Sequence, residues 1–161
     1  AARQVGADIV LRVTSNCPVI DPLLCSRVLA QRAATDAGYA CNNMPRTWPH
    51  GLDCEAFTRA ALERAAAEAT EPFDREHVTP WLHRAPDLAR VNVPGPGGHF
   101  ANRRWTLDYP EDYAFFEALF DALPPPPYIA GTMEIDAVLR HHPEIAALNA
   151  SRHVSEAQEK P

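Results

Sequence analysis

Apolar positions along the chain fall into two periods. Residues 8–14 form a nearly unbroken apolar run, with Ile9, Val10, Leu11 and Val13, which predicts a strand covered on both faces as in a parallel sheet. Behind it the polar corner Ser15-Asn16-Cys17-Pro18 runs into Asp21-Pro22, a cap followed by a first-turn proline. Leu23, Leu24, Val28 and Leu29 then recur at helical spacing, and Gly38 ends the helix. A short strand is expected at 39–42 and a loop over 43–51, where two prolines and a glycine interrupt any regular structure. Alternation predicts a strand over 52–57, an alanine-rich helix follows over 58–69, and another helix is expected over 73–83, kinked or restarted by Pro80.

Further along, 88–93 reads as an edge or late strand and "PGPGGH" as a turn. A phosphate-cradling glycine loop is the sharper reading of that turn, but its prolines remove amide donors and no helix follows directly. Residues 104–107 predict a short strand, and 110–123 a helix with Glu111 and Asp112 in its first turn, where acids suit the helix dipole. The four prolines 124–127 predict a stiff spacer. Thr132 can cap a helix to about His141, Pro143 can open another to Ala150, and the chain from Ser151 is a polar tail. The division expected is an α/β domain over 1–123 and a proline spacer with a helical extension over 124–161.

Composition narrows the functions. The chain has 161 residues, 46% hydrophobic and 22% charged, enough for one globular core. A net charge of −6, with a single lysine, provides no basic stripe, so no nucleic-acid partner is expected. No apolar run approaches the ~20 residues that cross a bilayer, so no membrane partner is expected either. Cys17, Cys25, Cys41 and Cys54 show no C-x-x-C pair or zinc spacing; free thiols in a reducing, cytoplasmic setting follow. The chain enters its first strand without a methionine or a preceding βα unit, which suggests a piece of something longer. A sheet lacking its leading strands would expose an apolar edge, and a homo-oligomer is expected on that ground.

Two corners could carry chemistry. "SNCPVIDP" and "RRWTLDYPED" each bring a polar side chain, Asn16 or Asp108, to the end of an expected strand just before a proline-started helix. Side by side they would offer two oxygen ligands to a hard cation such as Mg²⁺; the plainer reading makes Asp108 a turn or capping residue. The loop "RTWPHGLDCE" gathers Arg46, His50, Asp53 and Glu55 around Trp48. That set suits a sugar or sugar acid, whose ring faces are apolar and whose hydroxyls need bidentate partners. It equally suits a surface loop pinned by the tryptophan. In "FDREHVTPW", Phe73, His77 and Trp81 share a helical face, so His77 can be a core histidine among aromatics or, with Arg75, a catalytic group. His141 and His142 have no ligand partners at metal spacing and read as cations at a helix C-terminus.

Taken in order, "GADIVLRVTSNCPVIDP", "RTWPHGLDCEAF", "EPFDREHVTPWLHR", "RRWTLDYPEDYAFF" and "HHPEIAALNA" resemble the acylneuraminate cytidylyltransferase superfamily, of the spore coat polysaccharide biosynthesis protein F type. The resemblance runs from Gly6 to Asn149. It implies a three-layer α/β/α sandwich of the nucleotide-diphospho-sugar transferase type, with Mg²⁺ as cofactor and CTP and a sugar or sugar acid as ligands. The activity implied is that of a nucleotidyltransferase of polysaccharide biosynthesis, in which CTP and the sugar give a CMP-sugar and pyrophosphate. Asp108 matches the family's second metal-binding carboxylate; Asn16 stands where the first aspartate is usual, and Tyr109 replaces a usual threonine. The metal set implied is Asp108 with Asn16, the sugar set Arg46, His50, Asp53 and Glu55, and the catalytic groups His77, as an orienting residue, and Arg75. The family's N-terminal Arg-Leu-Pro-Gly-Lys-like nucleotide loop has no counterpart here, so the expectation is a fold lacking that unit. The alternative to an enzyme is a non-catalytic sugar-binding or oligomerising remnant.

Overall fold

The structure, a computed structural model, describes residues 1–125 and 129–152. The chain divides into two compact units whose segments alternate in sequence. The first comprises Ala1–Val13, Leu24–Pro45 and Cys54–Pro94; the second comprises Thr14–Leu23, Arg46–Asp53 and the chain from Gly95.

The first unit is built on a mixed four-stranded sheet of β1 (Ile9–Val13), β2 (Tyr39–Cys41), β3 (Cys54–Thr58) and β4 (Arg90–Asn92), in the order β1-β3-β2-β4. Strand β3 runs antiparallel to both neighbours, and β4 runs parallel to β2. The α/β class expected from the sequence is borne out. Strand β1 departs from expectation: it is an edge strand paired only with β3, and Leu11 and Val13 are 39% and 46% exposed. Arg12, whose side chain points to the face opposite Leu11 and Val13, interrupts the apolar run and stands directly opposite Glu55 on β3. Helix α1 (Pro22–Thr35) begins where its proline predicts, and α2 (Arg59–Glu68) is capped by Thr58, whose hydroxyl accepts from the Ala61 amide at 3.1 Å. Tyr39, Phe57, Ala61, Ala65, Trp81 and Leu82 form the centre of this unit's core.

The helix expected over 73–83 is two helices, α3 (Pro72–His77) and α4 (Pro80–Arg84). Val78 breaks them with φ 70 and ψ −50, and the Thr79 amide donates to the His77 carbonyl at 2.8 Å. That is a γ-turn, a tight three-residue reversal seldom adopted by a β-branched residue. The break corrects the shared face of Phe73, His77 and Trp81. Trp81 is buried, whereas Phe73 and His77 are exposed with their rings 4.4 Å apart, so His77 is not a core histidine.

The second unit holds a short 3₁₀ turn (Gly98–Asn102), α5 (Pro110–Ala122), α6 (Thr132–His141) and α7 (Pro143–Ala147). Trp105, Phe115, Leu119, Ile135 and Leu139 are fully buried or nearly so. The strand expected at 104–107 is absent; Arg104 makes one isolated parallel bridge to His50, because the 46–53 loop offers no extended partner beyond it. Gly51 makes that bridge possible. It sits at φ 107, and a Cβ there would lie 2.0 Å from the Trp105 carbonyl oxygen. Thr132 does not cap α6 but starts it; its hydroxyl and amide donate to Asp21 Oδ2 at 2.6 and 3.1 Å, while the Leu23 amide donates to Asp21 Oδ1. One carboxylate thereby ties the start of α1 to the start of α6. Helices α6 and α7 pack with α5, so the expected separate extension belongs to a unit that also contains 14–23 and 46–53. The proline spacer from Pro126 and the polar tail from residue 153 lie outside the described residues.

Candidate functional site

Both expected corners fall in the second unit, and the structure brings them together. The Asn16 carbonyl accepts from the Leu107 amide at 2.8 Å and from the Thr106 hydroxyl at 3.1 Å. Residues 90 apart in sequence are thus locked by their backbones, and the side chains follow: Asn16 Nδ2 donates to Asp108 Oδ1 at 2.8 Å. The other Asp108 oxygen, Oδ2, accepts from Arg104 at 2.9 Å and lies 3.1 Å from the Thr106 hydroxyl.

Beneath Asp108 lies an ion pair that sequence reasoning missed. Arg104 forms a two-pronged bond to Asp112, both contacts at 2.8 Å, with both side chains buried. Asp112 Oδ2 also accepts from the Asp108 and Tyr109 amides at 3.0 Å, and its Oδ1 accepts from Asn149 at 2.8 Å. Burial pushes the Asp112 carboxyl up, but Arg104, these amides and Asn149 outweigh it and hold the group at about 2. It is therefore Asp112, not Asp108, that caps the start of α5. Asp108 is left partly exposed, with its side chain 35% accessible. The available signal was the spacing of Arg104, Asp108 and Asp112, each four residues from the next.

Asp53 reaches the same neighbourhood through Cys17. Burial pushes the Cys17 thiol up, the Thr14 hydroxyl at 3.2 Å partly offsets this, and the charges of Asp53 and Asp108 add to the rise. The thiol is therefore protonated and neutral beside these charges. Asp53 takes both terminal nitrogens of Arg46, at 2.6 and 2.9 Å, and lies 4.0 Å from His50 Nε2. Trp48 is buried, and the Gly95 backbone lies against its ring so closely that a Cβ would come within 2.6 Å. The Thr47 hydroxyl accepts from the Gly95 amide at 2.7 Å. The tryptophan therefore pins the loop, and the polar trio Arg46, His50 and Asp53 is what the loop presents.

The remaining candidates belong to the first unit. Glu55 is buried and fully engaged: Oε2 accepts from Arg12 at 2.5 Å and Thr79 at 3.2 Å, while Oε1 accepts from Tyr39 at 2.5 Å and lies 3.1 Å from His83 Nε2. Burial would raise this carboxyl, but His83, Tyr39 and Arg12 together bring it down to about 2. His83 was not singled out from the sequence because its partner lies 28 residues away. Arg75 and His77 are exposed on α3, with Arg75 also donating to the Ala69 carbonyl at 3.3 Å.

No protein-family model matches the chain. A cytidylyltransferase structure from Leptospira borgpetersenii serovar Hardjo-bovis superposes with a TM-score of 0.81 at 23% identity, over 90% of this chain and 61% of that one. The fold is that of a cytidylyltransferase. Among curated proteins, an uncharacterized protein of Methanocaldococcus jannaschii, MJ1063, is 27% identical over 118 residues, which is 72% of this chain. The chain spans 47% of that relative's length. Among the described residues, no three or more His, Cys, Asp or Glu side chains are grouped to hold a metal, and no helix is long and apolar enough to cross a membrane. The four cysteines are free thiols.

Proposed function

We propose that the chain serves a cytidylyltransferase reaction in polysaccharide biosynthesis, in which CTP and a sugar or sugar acid give a CMP-sugar and pyrophosphate. The observation that carries the reading is the convergence of Asn16, Cys17, Asp53 and Asp108 in one unit of a chain with a cytidylyltransferase fold. A sugar hydroxyl attacks the α-phosphorus of CTP, the bond from that phosphorus to the bridging oxygen breaks, and pyrophosphate leaves. Protein groups mainly hold the reactants in line.

Asp108, with Asn16 beside it, is the Mg²⁺ site of this reading. One carboxylate and one amide suit this ion, which commonly takes one or two carboxylates and fills its shell with water and substrate phosphates. Mg²⁺ would supply neutralisation of the phosphate oxygens. Arg46, His50 and Asp53 take the sugar hydroxyls. Both Glu55 oxygens are taken by protein donors, so its part is to fix Arg12, Tyr39 and His83 in place. Arg75 and His77, the expected catalytic groups, are exposed on α3 in the first unit, and the residues assigned here to metal and sugar all belong to the second. Four free thiols support a cytoplasmic setting.

A second reading, a sugar-binding or oligomerising module without catalysis, is favoured by one observation: Asn16 turns its N–H₂ toward Asp108 where a second carboxylate would double the charge offered to a cation. Pyrophosphate release from Mg²⁺-CTP across a panel of sugars and sugar acids separates the two. The catalytic reading expects release with at least one sugar and about a hundredfold loss in Asp108→Asn. Sugar binding without release with any member of the panel would leave the second reading standing.

A further inference from the structure

The Asn16 amide is held at both ends. Its Nδ2 donates to Asp108 Oδ1 at 2.8 Å, and its Oδ1 accepts from the Cys17 thiol at 3.8 Å. Cys17 Sγ in turn lies 3.2 Å from the Thr14 hydroxyl, and either of these two atoms can donate to the other. The polarity of this chain is set at its far end: a carboxylate oxygen only accepts, so the amide offers N–H₂ to Asp108 and leaves its oxygen to the thiol. Thr14 and Asn16 are half-buried and Cys17 is buried, all within the second unit.

That arrangement sets the amide against a cation. Asp108 Oδ2 already accepts from Arg104 and lies against the Thr106 hydroxyl, so a cation on Asp108 meets Oδ1, the oxygen beside the amide N–H₂. The positive end of the amide dipole would then face the ion. The backbone cannot relieve this, because the Asn16 carbonyl is fixed by the Leu107 amide and the Thr106 hydroxyl. The side chain can. Turning the amide over brings its Oδ1 to the cation and its Nδ2 to Cys17 Sγ, a weak acceptor; the S–H then turns to Thr14 Oγ1, and the Thr14 O–H turns to solvent. Every donor keeps an acceptor, because hydroxyl and thiol each donate and accept. An aliphatic side chain in place of Thr14 or Cys17 would break the reversed chain.

We propose that Thr14 and Cys17 are positioning residues that let the Asn16 amide turn over, N–H₂ toward Asp108 without a cation and Oδ1 toward a cation held on Asp108. The proposal rests on the Mg²⁺ reading of this corner and goes beyond it: Asn16 becomes a ligand that the fold keeps reversed until the ion arrives, and Thr14 and Cys17 serve the metal-bound state without touching the ion. The Thr14 hydroxyl is required only after the turn. Before it, the thiol has Asn16 Oδ1 as its acceptor; after it, Thr14 Oγ1 is the acceptor within reach.

The test follows the side-chain N–H₂ signals of Asn16 in the ¹⁵N-labelled full chain, assigned by their loss in Asn16→Asp, through a Mg²⁺ titration in the presence of CTP. Without Mg²⁺, the proton bonded to the carboxylate is expected well downfield of its partner. At saturation it should move upfield, as a proton does on exchanging a carboxylate for a sulfur, and the Asp108 backbone amide should shift with the same midpoint. Thr14→Val should leave the metal-free Asn16 signals in place and weaken Mg²⁺ binding about fivefold, the cost of a buried S–H without an acceptor. Thr14→Ser should restore the affinity. If the Asp108 amide responds to Mg²⁺ while the Asn16 protons stay where they were, the turnover is overturned and the metal site stands. If neither responds, both are overturned. Full affinity in Thr14→Val, or no recovery in Thr14→Ser, overturns the part given to Thr14, and the titration of the unaltered chain decides the turnover even where Thr14→Val does not fold.

Discussion

Glu55 is the residue on which the first unit's response to acid turns. Its carboxyl, near 4.5 when unfolded, is held at about 2 in the fold by Arg12, Tyr39 and His83 despite burial. A depressed carboxyl stabilises the fold above its unfolded value, and the contribution fades as pH falls from about 4.5 through about 2. The shift corresponds to about 3 kcal/mol at neutral pH. Urea unfolding of Glu55→Gln should therefore show a loss of that order at pH 7 and a flatter decline between pH 4.5 and 2, the residual slope coming from the other carboxyls lowered in the fold, Asp112, Glu63, Glu111 and Glu144. Equal slopes in the two proteins would remove Glu55 from this role. Little of this network was legible in the sequence. Glu55 stood out only as one acid in a polar loop, since its partners come from β1, β2 and α4 and no local spacing announces them. Asn16 and Asp108 were legible because each follows an apolar run and precedes a proline-started helix. Arg104 and Asp112, which hold Asp108 in place, were masked by their ordinary appearance in a helix approach.

Among the elements, helices were read closely and strand partners were not. Helices α1, α5 and α6 begin within one residue of the expected position, because caps and first-turn prolines act locally. The pairing of β1 was misread, since an apolar run does not say whether both faces are covered or which neighbour supplies the hydrogen bonds. The division of 73–83 was half legible: Pro80 announced a restart, but nothing in the sequence announced the γ-turn at Val78. That turn yields a prediction. A β-branched residue at φ 70 stores about 1–3 kcal/mol of strain, while glycine there costs roughly 0.5–1 kcal/mol in unfolded-chain entropy. Val78 is 40% exposed and loses little burial on truncation. Val78→Gly should leave stability unchanged or raise it by up to about 2 kcal/mol, as chemical denaturation would show. A loss of more than 1 kcal/mol would mean that the Val78 side chain contributes packing that outweighs its backbone strain.

Across the whole molecule, the two units are woven from alternating chain segments, and each carries one polar centre: Glu55 in the first, the Asn16–Asp108 corner in the second. A boundary drawn along the sequence at residue 123 missed this, because hydrophobic patterning reports elements and not how distant segments interleave. Strand β1 leaves one sheet edge with Leu11 and Val13 exposed, and unpaired apolar edges recruit other chains. We expect light scattering to return at least twice the chain mass, and a concentration-independent monomer would contradict this. The account rests most heavily on a divalent cation held at Asp108 beside Asn16. Its most direct test is paramagnetic broadening by Mn²⁺, standing in for Mg²⁺, in the presence of CTP. The account predicts broadening centred on the amides of Asn16, Cys17 and Asp108, abolished in Asp108→Asn and strengthened in Asn16→Asp. Broadening centred elsewhere, or unchanged by Asp108→Asn, would contradict it.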